Sequence, residues 1–162
     1  MKRIIIHWTA GTNYPNQTDK NHYHFLIDKD GRVTNGKYKP EDNEDCYDGG
    51  YAPHTGGGNT GSIGIALCGM QGFLNSKNTG HYPLTKVQIE RCFKLIAELS
   101  KKYSIPINPM NIMTHYEFGL FYPETTSRGK IDIIYLSTDP ELPKEKIGDL
   151  FRSKAKWYLT KI

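Results

Sequence analysis

The chain has 162 residues, of which 37% are hydrophobic, with sixteen glycines, eleven tyrosines and a net charge of +4. That length fits one domain, able to bury about 70% of its unfolded surface without staples. Three cysteines, none at two-residue spacing, exclude a fully paired disulfide framework and a cysteine zinc knuckle, and no apolar run is long enough to span a bilayer.

The positive charge suits an anionic partner such as bacterial wall or nucleic acid without choosing between them. No basic stripe interleaved with aromatic residues speaks for nucleic acid, so no nucleic-acid partner is expected, and none in a membrane. Cys46, Cys68 and Cys92 are expected to be reduced. Met1-Lys2-Arg3 leads into only three isoleucines, short of an export segment, so the expected place of synthesis and first residence is the cytoplasm.

Arg3 to Thr9, with Ile4, Ile5 and Ile6 in a row, predicts a strand buried on both faces, with His7 near its carboxyl end. Tyr14 to Asn21 is polar, contains Pro15 and reads as loop. Tyr23 to Val33 predicts a hairpin turning at Asp30-Gly31. On its first strand His22 and His24 would share a face, a weak candidate metal pair.

Gly36 to Gly58 is a long irregular segment with an acidic patch and a run of three glycines. The run lacks the Lys-Ser/Thr of a phosphate-binding loop, which excludes a nucleotide site. Ser62 to Gly69 predicts a strand whose small residues on one face allow a neighbour to approach closely, with Cys68 as a core thiol.

Thr85-x-x-Gln88 is a capping box, and Ile89, Cys92, Phe93, Ile96, Leu99 and Tyr103 follow at helical spacing. A second helix is predicted from about Pro143 to Tyr158. Between them, Asn111 to His115 reads as a short strand that ends at His115. The stretch after it, through Gly119, Pro123 and Gly129, reads as a long polar loop. In an extended Lys130-Ile131-Asp132 the first and third side chains point the same way.

These elements predict a single α/β domain, residues 1–162, with a mixed central β-sheet flanked by α-helices and no separate wall-binding domain. If the strands ending at His7 and His115 are neighbours, two imidazoles and the Asp132 carboxylate converge at one rim of the sheet. Three nitrogen and oxygen ligands with a fourth position open describe a catalytic zinc site. Lys130 would stand where it could stabilise a developing negative oxygen.

The chain also resembles a known family. Ile5-Ile6-His7-Trp8-Thr9-Ala10-Gly11, Tyr23-His24-Phe25-Leu26-Ile27 with Asp30-Gly31, His54-Thr55 with Asn59-Thr60-Gly61-Ser62-Ile63-Gly64-Ile65, Thr114-His115-x-Glu117 and Gly129-Lys130-x-Asp132 occur in the order seen in type-2 N-acetylmuramoyl-L-alanine amidases, relatives of the peptidoglycan recognition proteins. The resemblance covers about Ile4 to Asp132.

It implies Zn2+ held by His7, His115 and Asp132, with Tyr23 assisting the reacting water and Lys130 stabilising the tetrahedral intermediate. It also implies that His54 lines the substrate cleft and that Asn59 contacts substrate. The implied reaction cleaves the amide between N-acetylmuramic acid and L-alanine of peptidoglycan, in a monomeric phage or prophage endolysin that reaches the wall by a holin-type route. Muropeptide recycling and non-catalytic wall binding are the alternatives. Two features depart from the family: Gly11 to His22 is short for a helix, and Asp132 is followed by Ile133-Ile134 rather than Pro-Gly. Asp139 therefore stays open as a rival third ligand.

Overall fold

The computed structural model describes residues 1–162. Its isoleucine run forms β1 (Arg3–Trp8), which pairs in parallel with β4 (Ser62–Leu67) on one side and β5 (Ile112–Thr114) on the other. The hairpin strands β2 (Phe25–Ile27) and β3 (Val33–Asn35) extend the sheet, β2 lying parallel to β4 and antiparallel to β3. The order is β3-β2-β4-β1-β5, a mixed sheet as predicted.

Alternation along β1 divides the two faces. Ile4, Ile6 and Trp8 join Ile63, Ile65 and Leu67 in the main core, against Ile89, Phe93 and Ile96 of α2 (Lys86–Tyr103) and Ile147 and Phe151 of α4 (Lys144–Leu159). Each isoleucine buried there contributes about 1.5–3 kcal/mol. Ile5 faces the other way, packing with Met113 and Phe118. His7 has the parity of Ile5, so it lies on the face the two long helices leave to shorter elements.

Both predicted long helices form. Thr85 accepts from the Gln88 N–H while Gln88 accepts from the Thr85 N–H, closing the predicted capping box. The Gln88 amide also donates to the carbonyls of Ile27 and Cys68, at 2.7 and 2.9 Å, tying α2 to the carboxyl ends of β2 and β4. Cys68 and Cys92 are buried and all three cysteines are free. No helix is long and apolar enough to cross a membrane.

Three local expectations are corrected. The segment read as loop from Tyr14 to Asn21 contains α1 (Gln17–His22), started by a capping box between Asn16 and Asp19. His22 therefore ends a helix, exposed and bonded to the Thr18 carbonyl at 2.7 Å, and does not share a strand face with His24. The polar stretch after β5 begins with α3 (His115–Phe121), so His115 opens a helix instead of ending a strand. Gly119 sits inside α3 because the Ser127 carbonyl lies where its Cβ would be. Finally, Lys130 and Asp132 do not share an extended strand: Lys130 is exposed, whereas Asp132 turns inward and is buried.

Candidate metal centre

Because β1 and β5 run parallel as neighbours, with Ile6 beside Thr114, His7 and His115 emerge at the same carboxyl rim. Rims of this kind are where parallel sheets place their sites. Thr114 caps α3: its hydroxyl accepts from the Glu117 N–H at 3.1 Å, and Glu117 Oε1 accepts from the Thr114 N–H at 3.0 Å. The box fixes the first helical turn and with it the direction of His115.

That turn also recruits Asp132. Its early N–H groups have no partner within the helix, and the Tyr116 N–H donates to the Asp132 carbonyl at 2.6 Å. Anchored there, the Asp132 side chain reaches His7 Nδ1 at 3.0 Å and His115 Nδ1 at 3.2 Å through the same oxygen, Oδ2. The two Nδ1 atoms are 3.1 Å apart. The three residues are buried, and their donor atoms all lie within 4.8 Å of one another.

Two imidazoles and one carboxylate are a fitting set for zinc, and a tetrahedron built on bonds of about 2.0–2.1 Å has edges of roughly 3.3 Å. The observed spacings of 3.0–3.2 Å are close to that edge. Asp139 is elsewhere, exposed in a turn that its backbone closes with Leu136 and Leu142.

Charge at the centre is set by competition between burial and pairing. Burial drives His7 down from its ordinary value to about 4, outweighing the upward pull of the Asp132 carboxylate against it. Burial would raise Asp132, but the His115 and His7 rings set against its carboxylate together overcome this and hold the carboxyl at about 2. Lys130, although exposed, is near enough for its charge to push His7 further down. Tyr23 lies tilted against His7, ring centroids 5.1 Å apart, and burial followed by the Asp132 charge raises its phenol above the ordinary value. That hydroxyl stays protonated and can donate.

His54 is not on an open cleft wall. It is 6% exposed and wedged behind His7, with Nδ1 3.2 Å from His7 Nε2 and Nε2 3.2 Å from the Ser62 carbonyl. Its ring fills the space above Gly64, where a Cβ would stand 2.5 Å from His54 Cγ. This is the close neighbour that the small face of β4 anticipated. Burial first, and His7 second, hold His54 well below the ordinary imidazole value.

Asn59 turns its side chain to its own loop, accepting from the Thr55 N–H at 2.7 Å. His24 is also internal: Gly64 donates to its Nδ1 at 2.9 Å, so its Nε2 donates to Asn43 Oδ1, also at 2.9 Å. Sequence reasoning missed the roles of Asn43, in the short 3-10 helix Pro40–Glu44, and of Thr55 and Ser127, in loops whose composition carries no periodic signal.

Residues 1–132 match the family model described as N-acetylmuramoyl-L-alanine amidase (Amidase_2). No curated protein matches the chain. Among solved structures, a mutant form of PlyL is 22% identical with a TM-score of 0.54, over 96% of this chain and 84% of that one. The ectodomain complex of peptidoglycan recognition proteins LCa and LCx bound to tracheal cytotoxin is 21% identical with a TM-score of 0.50, over 79% of this chain and 76% of that one. The amidase LysC from Clostridium intestinale URNW is 22% identical with a TM-score of 0.48, over 70% of this chain and 69% of that one. At such identities the likenesses to PlyL and to the recognition-protein complex speak for a shared fold.

Proposed function

The chain belongs to the N-acetylmuramoyl-L-alanine amidase family (Amidase_2), and from that premise we propose that it is a zinc amidase cleaving the bond between N-acetylmuramic acid and L-alanine of peptidoglycan. The observation that carries the reading is the convergence of His7 Nδ1, His115 Nδ1 and Asp132 Oδ2 at 3.0–3.2 Å in a buried rim of the sheet. A non-catalytic wall-binding module has no use for such a complete ligand set.

His7, His115 and Asp132 would hold the ion. When bound, zinc supplies Lewis acidity, lowering the pKa of a water to about 7 and polarising a carbonyl. The remaining chemistry belongs to the chain. Tyr23, kept protonated and packed against His7, orients the attacking oxygen by donating or sharing its hydroxyl hydrogen. Lys130 supplies positive charge on the solvent side, where the amide oxygen becomes negative as the tetrahedral centre forms.

α1 has only six residues, and we read so short an element there as favouring polymeric wall as substrate and a lytic role over muropeptide recycling. In this reading the catalytic unit is the single domain 1–162, acting as a monomer after holin-type release, with Asn59 shaping the loop beside substrate. Digestion of purified peptidoglycan, with mass analysis of the fragments, tests the proposal. New L-alanine amino termini on intact glycan strands are expected; cut glycan with alanine still acylated would overturn it.

A further inference from the structure

Behind each ligand histidine stands a second hydrogen-bonding residue. His7 Nε2 lies 3.2 Å from His54 Nδ1, and His115 Nε2 lies 2.9 Å from Ser127 Oγ. We infer that His54 and Ser127 are positioning residues, each accepting an Nε2–H and so holding its ligand histidine in the tautomer that turns a bare Nδ1 towards the ion. This rests on the zinc reading above for its purpose, but not for its logic.

Two carbonyls, which only accept, fix where the hydrogens of this network lie. The Ser62 carbonyl lies 3.2 Å from His54 Nε2, so that nitrogen carries the hydrogen. A buried ring with no carboxylate against it is neutral, which leaves His54 Nδ1 bare and able only to accept. The Thr55 hydroxyl sits between the rings, 2.7 Å from His54 Nδ1 and 3.4 Å from His7 Nε2. If it gives its one hydrogen to His54, it too can only accept from His7. By either route His7 Nε2 is the donor.

On the other side the Ser127 hydroxyl donates to the Gly56 carbonyl at 2.7 Å. Its single hydrogen is then used, so it accepts from His115 Nε2. Both Nδ1 atoms and Asp132 Oδ2 are thus three acceptors facing one another at 3.0–3.2 Å with no hydrogen among them, a cluster that a cation completes.

The two outer partners come from loops far apart in sequence, and the glycine run is what lets the loops meet. A Cβ on Gly56 would collide with the Thr126 side chain, one on Gly57 with Thr125, and one on Gly58 with the Phe118 ring. The run that failed as a phosphate loop is the seam closing the His54 loop onto the Ser127 loop.

The test uses protein labelled with 15N-histidine, read before and after removal of zinc by a chelator, at about pH 8, above histidine's ordinary value of about 6.5. Long-range 1H–15N spectra should show His7 and His115 protonated at Nε2 in both states. Zinc affinity, measured against a competing chelator, should fall about 10–100-fold in His54→Leu and in Ser127→Ala. His54→Asn, which restores an acceptor near the Nδ1 position, and Ser127→Thr, which restores a hydroxyl, should recover most of it.

Protonation of either ligand ring at Nδ1 in the zinc-free wild type would overturn the inference. So would zinc binding of wild-type strength in both truncated variants. If His54→Leu does not fold, the wild-type spectrum and His54→Asn still decide. Failure of the zinc reading itself looks different: the wild type would bind no zinc, while its tautomers would remain readable.

Discussion

The first turn of α3 separates two polar clusters, and they are built on opposite principles. His115, its first residue, faces the metal centre; Glu117, two residues on, faces Arg152 of α4. Arg152 makes a two-pronged pair with Glu117 at 3.0 and 2.9 Å, reaches Asp149 at 2.8 Å and donates to the Ile112 carbonyl at 2.9 Å. That cluster contains its own cation and closes on itself, joining α3, α4 and β5. The metal centre is more deeply buried, since Asp149 is exposed, but gathers acceptors around a point where the chain supplies no cation. A structural polar cluster is complete without a ligand; a binding site of this kind is complete only with one.

The largest expected effect breaks the open cluster. Asp132→Ala should abolish both zinc retention after dialysis and amide hydrolysis, because the remaining two imidazoles no longer form a three-ligand set. Zinc retained at about one per chain would remove Asp132 from the centre. Breaking the closed cluster should do the reverse. Arg152→Ala leaves Glu117 buried without its partner, and losses of about 3–5 kcal/mol are usual in that situation. Urea unfolding should register that loss while the folded fraction keeps its zinc; loss of zinc well before unfolding would mean that the two clusters are coupled through α3.

The contrast also marks what the sequence could and could not convey. β1, the Asp30-Gly31 hairpin and the Thr85 cap are local signals, and the local rules that predict them are the ones the fold obeys. The convergence of His7, His115 and Asp132 is legible because their residue types and motif order point to one rim of the sheet. α1 was hidden by Pro15 and by a length of six residues, too short for periodicity to show. α3 was hidden by Gly119, whose presence answers to the Ser127 carbonyl across a loop and not to helix propensity. The motif order places His54 near the site but not buried behind His7, since nothing in a loop sequence announces that its histidine will pack against a strand's carboxyl end. The Arg152–Glu117 pair joins residues thirty-five apart and was not foreseen.

A third buried group sharpens the comparison through pH. His24 is bonded at both ring nitrogens, and burial, opposed by its hydrogen bond to Asn43, lowers it to about 4. A histidine lowered in the folded state stabilises fully above its unfolded value of about 6.5, and that contribution is lost as pH falls towards 4. The shift corresponds to about 3 kcal/mol. Urea unfolding at neutral pH and near pH 4 should show the decline, and His24→Gln, which cannot titrate, should be less stable at neutral pH with a shallower acid slope. An unchanged slope would mean that His24 is not the group responsible.

Chemistry should be separable from metal binding within the open cluster. Lys130→Ala should lower turnover about 100-fold, a typical loss for one stabiliser of a developing oxyanion, with zinc per chain unchanged. A variant that turns over like the wild type would leave Lys130 as ordinary exposed charge.

The smallest effect is expected at the rival carboxylate, and it matters because sequence alone leaves it open. Asp139 and Asp132 lie seven residues apart in one irregular stretch, and both precede α4. What separates them is the backbone around each. The Asp132 carbonyl takes an N–H that the first turn of α3 cannot satisfy internally, which swings its carboxylate between the two histidines. Asp139 instead accepts from the Leu142 N–H and donates to the Leu136 carbonyl, closing a surface turn with its side chain exposed. To reach the centre it would have to abandon both bonds while Asp132 withdrew. Asp139→Ala should therefore keep its zinc and its rate, and change stability by no more than about 0.5 kcal/mol, as surface substitutions usually do. Zinc content, hydrolysis rate and urea midpoint measured beside Asp132→Ala make the comparison; an empty site in the Asp139 variant would exchange the roles of the two carboxylates.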